Sequence, residues 1–199
     1  MSKIGIFGGA FNPIHNGHMF VAEEALRIFQ LNKIVFVPTG NPVFQKEDLL
    51  DKNERSKLVS LSIKDRPYFE ESLFEVQRDA PSYFIDTLEQ FLQPSNSLYT
   101  ILGEDAFIYF HKWKSYEEII SRTNFIVAER FEDSFATTKK YIQTNFHEFI
   151  DKIFFLSHPL YRISSTLIRE RIKSNKHISY LVPEIVEKEI LDKRYYKNP

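Results

Sequence analysis

The stretch that most constrains the fold is the first eighteen residues, Met1 to His18. Ile4, Ile6 and Phe7 form a short apolar run that stops at Gly8-Gly9, the pattern of a buried strand entering a tight loop. Asn12-Pro13 continues the turn. From His18 the spacing becomes helical, with Val21, Ala22, Ala25, Ile28 and Phe29 recurring on one apolar stripe. Strand, glycine loop and helix start together make an anion site, because unpaired backbone N–H groups and the positive end of the helix dipole face out of the loop. His15 and His18 stand at its mouth, where imidazoles can donate to phosphoryl oxygens as charge builds in a transition state. A blander alternative makes the glycines simple turn residues and the histidines incidental surface groups. A dinucleotide fingerprint is a second rival, since Gly5-x-x-Gly8-Gly9-Ala10 loosely fits its glycine spacing. That fingerprint wants an acidic residue at the end of the second strand. Here Lys33–Val37 runs instead into Pro38-Thr39-Gly40-Asn41-Pro42, which argues against an oxidoreductase.

The rest of the chain alternates strands with helices. Asp51 and Glu54 have the spacing of a capping box, followed by a helix with Leu58 and Leu61 inward. Leu73–Arg78 reads as a third strand. Ser82 reads as the cap of a helix that buries Ile85, Leu88, Phe91 and Leu92. Leu98–Leu102, Asn124–Ala128 and Lys152–Leu156 are further strands. Ser115 and Glu118 repeat the capping-box spacing ahead of a short helix to Arg122, and Asp133–Ile150 is helical. Such alternation implies an α/β fold of parallel βαβ units, with ligands beyond the carboxyl ends of the strands. Gly8-Gly9, Asn41, Gly103-Glu104-Asp105 and Arg130 are expected there.

Composition removes several function classes. The chain has 199 residues, ample for a buried core, and its 19 Phe and 10 Tyr make that core aromatic. A net charge of −1 gives no basic field for nucleic acid or a membrane surface. No apolar run is long enough to span a bilayer, and no signal segment is expected ahead of the first strand. With no cysteine, disulfides, thiol chemistry and zinc–thiolate sites are excluded. A cytoplasmic protein fits these observations best.

Ile163-Ser164-Ser165-Thr166-Leu167-Ile168-Arg169 is the second decisive stretch. Ser164 or Ser165 caps a helix, and hydroxyls, free N–H groups and a guanidinium one turn in make a second phosphate cradle. His15-Asn16-Gly17-His18 behind Gly8-Gly9-Ala10-Phe11-Asn12-Pro13 resembles the HxGH motif of the nucleotidyltransferase superfamily, and this second stretch resembles that superfamily's ISSTxIR motif. Three further segments resemble those of the bacterial nicotinate-mononucleotide adenylyltransferases, so that the likeness spans essentially the whole chain. They are Arg78-Asp-Ala-Pro81-Ser82-Tyr83-Phe84-Ile85-Asp86-Thr87-Leu88, Gly103-Glu104-Asp105 with Trp113, and the tail from Ile178 to Val186 with Tyr195-Tyr196.

The resemblance implies a Rossmann-like parallel sheet flanked by helices, within one domain over 1–199 whose helical C-terminal part begins at about 163. It implies AMP transfer from ATP to nicotinate mononucleotide in NAD biosynthesis, with Mg²⁺ bound through the ATP phosphates. His15 and His18 would stabilise charge on the α-phosphate. Gly8, Gly9, Ala10, Phe11, Asp105, Ser164, Ser165 and Arg169 would bind ATP. Asn41, Lys46, Tyr83, Phe84, Trp113 and Lys114 would surround the pyridine mononucleotide. No metal-ligating side chain is implied. Two departures touch the acceptor site. Pro42-Val43-Phe44-Gln45 replaces the family's P-P-H-K and moves the basic residue to Lys46, and Phe84 replaces a threonine beside the nicotinate carboxylate. Adenylyl transfer to nicotinamide mononucleotide or phosphopantetheine, and a non-catalytic nucleotide sensor, are the alternatives. A homo-oligomer is left open.

Overall fold

The computed structural model describes residues 1–43, 48–129, 135–157 and 163–197. In chain order the elements are β1 (Ser2–Gly9), α1 (Asn16–Ile28), β2 (Lys33–Pro38), β3 (Asn41–Pro42), α2 (Lys52–Ile63), β4 (Phe69–Glu71), β5 (Pro81–Ser82), α3 (Phe84–Glu89), β6 (Asn96–Gly103), α4 (Glu104–Phe107), α5 (Tyr116–Arg122), β7 (Asn124–Ala128), α6 (Phe135–Asn145), β8 (Ile153–Leu156), α7 (Ser165–Lys173) and α8 (Glu184–Asp192). Short 3-10 turns occupy Phe110–Lys112 and His147–Lys152. The chain divides into two compact units. One holds Met1–Gly8, Val21–Val35 and Tyr83–Leu160; the other holds Gly9–Phe20, Phe36–Ser82 and Tyr161–Pro199.

The first unit is built on the expected parallel sheet. Its strands run in the order β2-β1-β6-β7-β8, and β1–β6, β6–β7 and β7–β8 all pair in parallel. Ile4 lies opposite Leu98 and Phe7 opposite Ile101, and all four are buried. Strands this apolar on both faces need helices on either side. Ala22 and Ala25 of α1 and Ile119 and Ile120 of α5 are fully buried. The aromatic composition gathers beside β7, where Phe107, Phe110, Phe125 and Phe146 meet at ring distances of 4.8–6.2 Å. The fold class is therefore as the sequence implied, a Rossmann-like α/β sheet with flanking helices.

In the second unit the end of β2 lies beside β4, and β3 pairs in parallel with β5. Helix α2 starts as expected, with the Asp51 carboxylate accepting from Asn53 N–H at 2.8 Å. The other half of the expected capping box is not seen, because the Glu54 carboxylate accepts from the Tyr195 hydroxyl. Lys57 pairs with Glu189 at 2.7 Å and ties α2 to α8.

Several local expectations fail for identifiable reasons. Leu73–Arg78 is a turn, closed by Gln77 N–H donating to Leu73 O at 2.9 Å, and the strand lies earlier at Phe69–Glu71. Ser82 does not cap α3. Its hydroxyl accepts from Asn41 N–H at 3.1 Å, the helix begins after Tyr83, and it ends at Glu89 before Phe91 and Leu92. Ser115 precedes α5 in a left-handed conformation (φ 54°) and makes no side-chain cap. Ile28 is exposed, and Met19 takes the buried place at the other end of α1. Helix α6 runs from Phe135, and the expected start at Asp133 lies outside the described residues.

Candidate active site

The HxGH stretch belongs to the second unit, and its geometry follows from a short, heavily anchored loop. Strand β1 runs through both Gly8 and Gly9, and no glycine of the described chain has a positive φ. The left-handed residue of the loop is Phe11, at φ 45°, so the turn is made there and not at the glycine pair. From Phe11 to His15 every residue is buried. Helix α1 begins at Asn16, two residues earlier than the apolar stripe suggested.

His15 and His18 stack with their ring centroids 3.6 Å apart. Each ring is held by the backbone of the other. His15 N–H donates to His18 Nδ1 at 3.2 Å, and His18 N–H is shared between His15 Nδ1 at 3.3 Å and His15 O at 2.9 Å. An Nδ1 that accepts a hydrogen bond carries no proton, so both rings are placed as neutral Nε2–H tautomers. That tautomer is a donor suited to a phosphoryl oxygen. Phe11 packs edge-on against His18, with centroids 5.1 Å apart. Gly17 gives this stack room, since a Cβ there would sit 3.0 Å from His15 Nδ1 and push on the ring.

The ISSTxIR stretch meets the same loop. Ser164 is the N-cap of α7, its hydroxyl accepting from Leu167 N–H at 3.1 Å. The Ser165 hydroxyl donates to Pro13 O at 2.8 Å, and Arg169 Nη1 donates to Asn12 O at 2.9 Å. Arg169 Nε is buried and has no partner among the described residues, an unspent donor beside a helix start. The two sequence motifs, more than 140 residues apart in the chain, are thus bonded to one another.

Two residues that sequence reasoning missed hold this loop. Arg55, 1% exposed, donates to Ala10 O at 2.6 Å, Leu50 O at 2.9 Å and Gly40 O at 3.1 Å. Its burial pushes the guanidinium pKa down, while Tyr196, Asp51 and Glu75 act to raise it. Gly40 is fixed by close approach as well, since a Cβ there would overlap the Glu75 carbonyl. The signal for Arg55 was available, because it precedes Leu58 and Val59 by three and four residues on the buried face of α2. Tyr196 donates its hydroxyl to Asn12 Oδ1 at 3.0 Å, and nothing in the tail's pattern marked that contact.

Asn41 also lies in the second unit, where its amide donates to Arg78 O and Ala80 O at 3.3 Å each. The remaining predicted residues lie in the first unit. Gly8 ends its part of β1, and a Cβ there would lie 3.9 Å from the Phe84 ring. Phe84 and Trp113 meet at 5.4 Å, and Trp113 leans on core Phe110 at 5.5 Å. Lys114 Nζ sits 4.3 Å from the centre of the Tyr83 ring, a cation–π contact. Tyr83 and Trp113 are half-buried, so neither is a plain core aromatic. Asp105 is exposed in the first turn of α4, following Gly103 at the end of β6. Lys46 and Arg130 lie outside the described residues.

Residues 6–171 match the family model described as cytidylyltransferase-like. A Caldicellulosiruptor bescii protein named as a probable nicotinate-nucleotide adenylyltransferase is 40% identical over 195 residues, covering 98% of this chain and 99% of its own. A Dictyoglomus turgidum protein of the same name is 39% identical over 197 residues, covering 98% and 95%. The solved Plasmodium falciparum nicotinic acid mononucleotide adenylyltransferase complexed with NaAD matches at a TM-score of 0.78 over 98% of each chain. At 19% identity, that likeness is one of fold.

Proposed function

We propose, from the premise that this chain belongs to the nicotinate-nucleotide adenylyltransferases within the cytidylyltransferase-like family, that it transfers AMP from ATP to nicotinate mononucleotide. The mononucleotide's phosphate oxygen attacks the α-phosphorus of ATP, the bond to the β-phosphate oxygen breaks, and pyrophosphate leaves with that electron pair. Deamido-NAD is the product, an intermediate of NAD biosynthesis. A phosphate nucleophile is already ionised near neutral pH, so positioning and charge stabilisation suffice and no general base is needed.

The observation that carries this reading is the bonding of the histidine loop to the start of α7 through Ser165 and Arg169. In it, His15 and His18 donate from Nε2 to the α-phosphate as its charge grows. The N–H groups at the start of α7, behind Ser164 and Ser165, take the β- and γ-phosphates together with Arg169. The Ser165 hydroxyl proton is given to Pro13 O, whereas Ser164 only accepts from Leu167 N–H and keeps its O–H to donate, so Ser164 serves the phosphates by hydroxyl and Ser165 by backbone. Gly8, Gly9, Ala10 and Phe11 line the approach of the nucleotide, and Asp105 takes a ribose hydroxyl. Asn41, Lys46, Tyr83, Phe84, Trp113 and Lys114 serve the acceptor, with the Trp113 indole against the pyridine ring.

Mg²⁺ is the cofactor of this reading, carried on the ATP phosphates, where it neutralises triphosphate charge. Phosphate oxygens and water are its expected ligands. Among the described residues, no helix is long and apolar enough to cross a membrane. The experiment is pyrophosphate release with ATP and Mg²⁺ across nicotinate mononucleotide, nicotinamide mononucleotide and phosphopantetheine. The highest kcat/KM is expected with nicotinate mononucleotide. Preference for the amide would overturn the substrate, and ATP binding without pyrophosphate release would favour a sensor.

A further inference from the structure

The residues between Gly9 and His15 carry no helix or strand of their own, yet three of their carbonyls and the Asn12 side chain are held from outside. Ala10 O is held by Arg55, Asn12 O by Arg169, and Pro13 O by Ser165. The Asn12 side chain is the centre of the set. Its Nδ2 donates to Asp48 O at 2.9 Å, and its Oδ1 accepts from Leu50 N–H at 3.1 Å and from the Tyr196 hydroxyl at 3.0 Å. Asn12 is 4% exposed, so each of these bonds stands in place of water.

Tyr196 is the outlying member, because it reaches this loop from the C-terminal tail. It sits at φ 61° just after α8, in a turn where Tyr195 N–H donates to Ile190 O at 3.0 Å. The Tyr195 hydroxyl donates to Glu54, which anchors the turn on α2. Burial pushes the Tyr196 hydroxyl pKa well above its ordinary value, so the group stays protonated and can donate.

We propose that Tyr196 is a positioning residue for the reaction: its hydroxyl fixes the Asn12 amide and so sets the loop that presents His15 and His18. The tail is then part of the catalytic apparatus without touching the reacting atoms. Preorganised donors must be fixed before the charge they meet develops. A loop with no secondary structure of its own takes its fixity from such side-chain anchors. This inference rests on the adenylyltransferase reading for its kinetic consequences only, since the placement of the histidines has a readout of its own.

The test is Tyr196→Phe, which keeps the ring and removes the hydroxyl, alone and combined with Asn12→Ala. Pyrophosphate release is expected to show kcat about five- to tenfold lower with KM for either substrate within about twofold, the loss of one hydrogen bond to a buried acceptor. In the Asn12→Ala background the same change is expected to cost nothing further, because the contact it removes is already gone. Nitrogen-15 NMR of the imidazoles is the second measurement. The His15 and His18 resonances are expected to shift in Tyr196→Phe while those of His111, His147 and His177 stay in place. An unchanged kcat in a variant whose His15 and His18 resonances are also unmoved overturns the proposal, as does an equal loss of kcat in the Asn12→Ala background. A wild type without turnover overturns the activity reading instead, and the imidazole spectra then decide the positioning role alone.

Discussion

Replacing Arg55 by methionine tests whether the active-site loop is held by a buried cation. The guanidinium gives three charge-assisted bonds of 2.6–3.1 Å to the carbonyls of Ala10, Leu50 and Gly40. Methionine fills much of the stem's volume but leaves the buried Gly40 carbonyl and the part-buried Ala10 and Leu50 carbonyls without that donor, at about 1–3 kcal/mol each. Against this, the variant no longer buries a charge, a relief of several kcal/mol. The net expectation is a destabilisation of about 3 kcal/mol, or a fall in Tm of about 6–12 °C for a chain of this size. Urea unfolding and a thermal melt measure it. Arg55→Lys separates charge from geometry. An ammonium on a shorter stem cannot span three carbonyls, so it should recover about half the loss. A methionine variant within about 1 kcal/mol of wild type would mean that water serves the carbonyls equally well, and the reasoning would be wrong.

Three further outcomes are expected. His18→Ala should lower kcat by about 10²-fold while ATP still binds, since a donor aimed at developing charge acts mainly in the transition state; a near-normal kcat refutes the role. Arg169→Ala should raise KM for ATP and leave KM for the mononucleotide nearly unchanged, and substrate titrations showing a defect confined to the acceptor would reverse the assignment. Glu71, which accepts from the Ser56 and Ser60 hydroxyls, has its carboxyl pKa held above the ordinary 4.5 by burial. A raised folded pKa gives stability that is full below the unfolded value and is lost as pH rises through the folded one. Glu71→Gln should therefore flatten the decline in stability above about pH 4.5, and urea midpoints with a wild-type slope in that range would refute it.

Features set by local pattern were legible in the sequence. The β6 and β7 strands are dominated by buried apolar residues (Leu98, Ile101 and Leu102; Phe125, Ile126, Val127 and Ala128), Asp51 and Ser164 cap the helices they precede, and the fold class follows from the alternation of elements. The misreadings arise where a distant partner outbids a local rule. Ser82 has cap chemistry, yet its hydroxyl serves Asn41 from the neighbouring strand. Glu54 is spaced for a capping box, yet it takes the Tyr195 hydroxyl from a residue 141 positions away. The candidate site divides the same way. His15 and His18 hold one another through bonds three residues apart, so the motif is readable by itself. Helical spacing places Arg55 on the buried face of α2, but the loop carbonyls it serves, like the contact of Tyr196 with Asn12, are met only in space and no spacing rule reports them.

The acceptor end makes a further distinction, between hydroxyl and charge as the source of preference for a carboxylate. Phe84 offers no hydroxyl, and its ring is committed to Trp113 at 5.4 Å. Lys114 is exposed, which alone would make it a solvated charge of little value. Its ammonium, however, is placed over the Tyr83 ring at 4.3 Å, and that contact narrows where the charge can go. With the pyridine against Trp113, as proposed above, a cation one residue away would favour a nicotinate carboxylate over an amide, which has no charge to meet it. Lys114→Met should therefore lower the acid-to-amide ratio of kcat/KM by about two- to fivefold, the value of one partly exposed charge pair. Phe84→Thr should raise the ratio by supplying a hydroxyl donor, because a site discriminates through the donors it leaves unpaired. The two mechanisms also differ in salt. The contribution of Lys114 should shrink as ionic strength rises, while that of an added threonine should persist. Competition between the two mononucleotides, at low and high salt in each variant, gives all these ratios. A Lys114→Met variant with the wild-type ratio at low salt would show that its charge does not reach the acceptor.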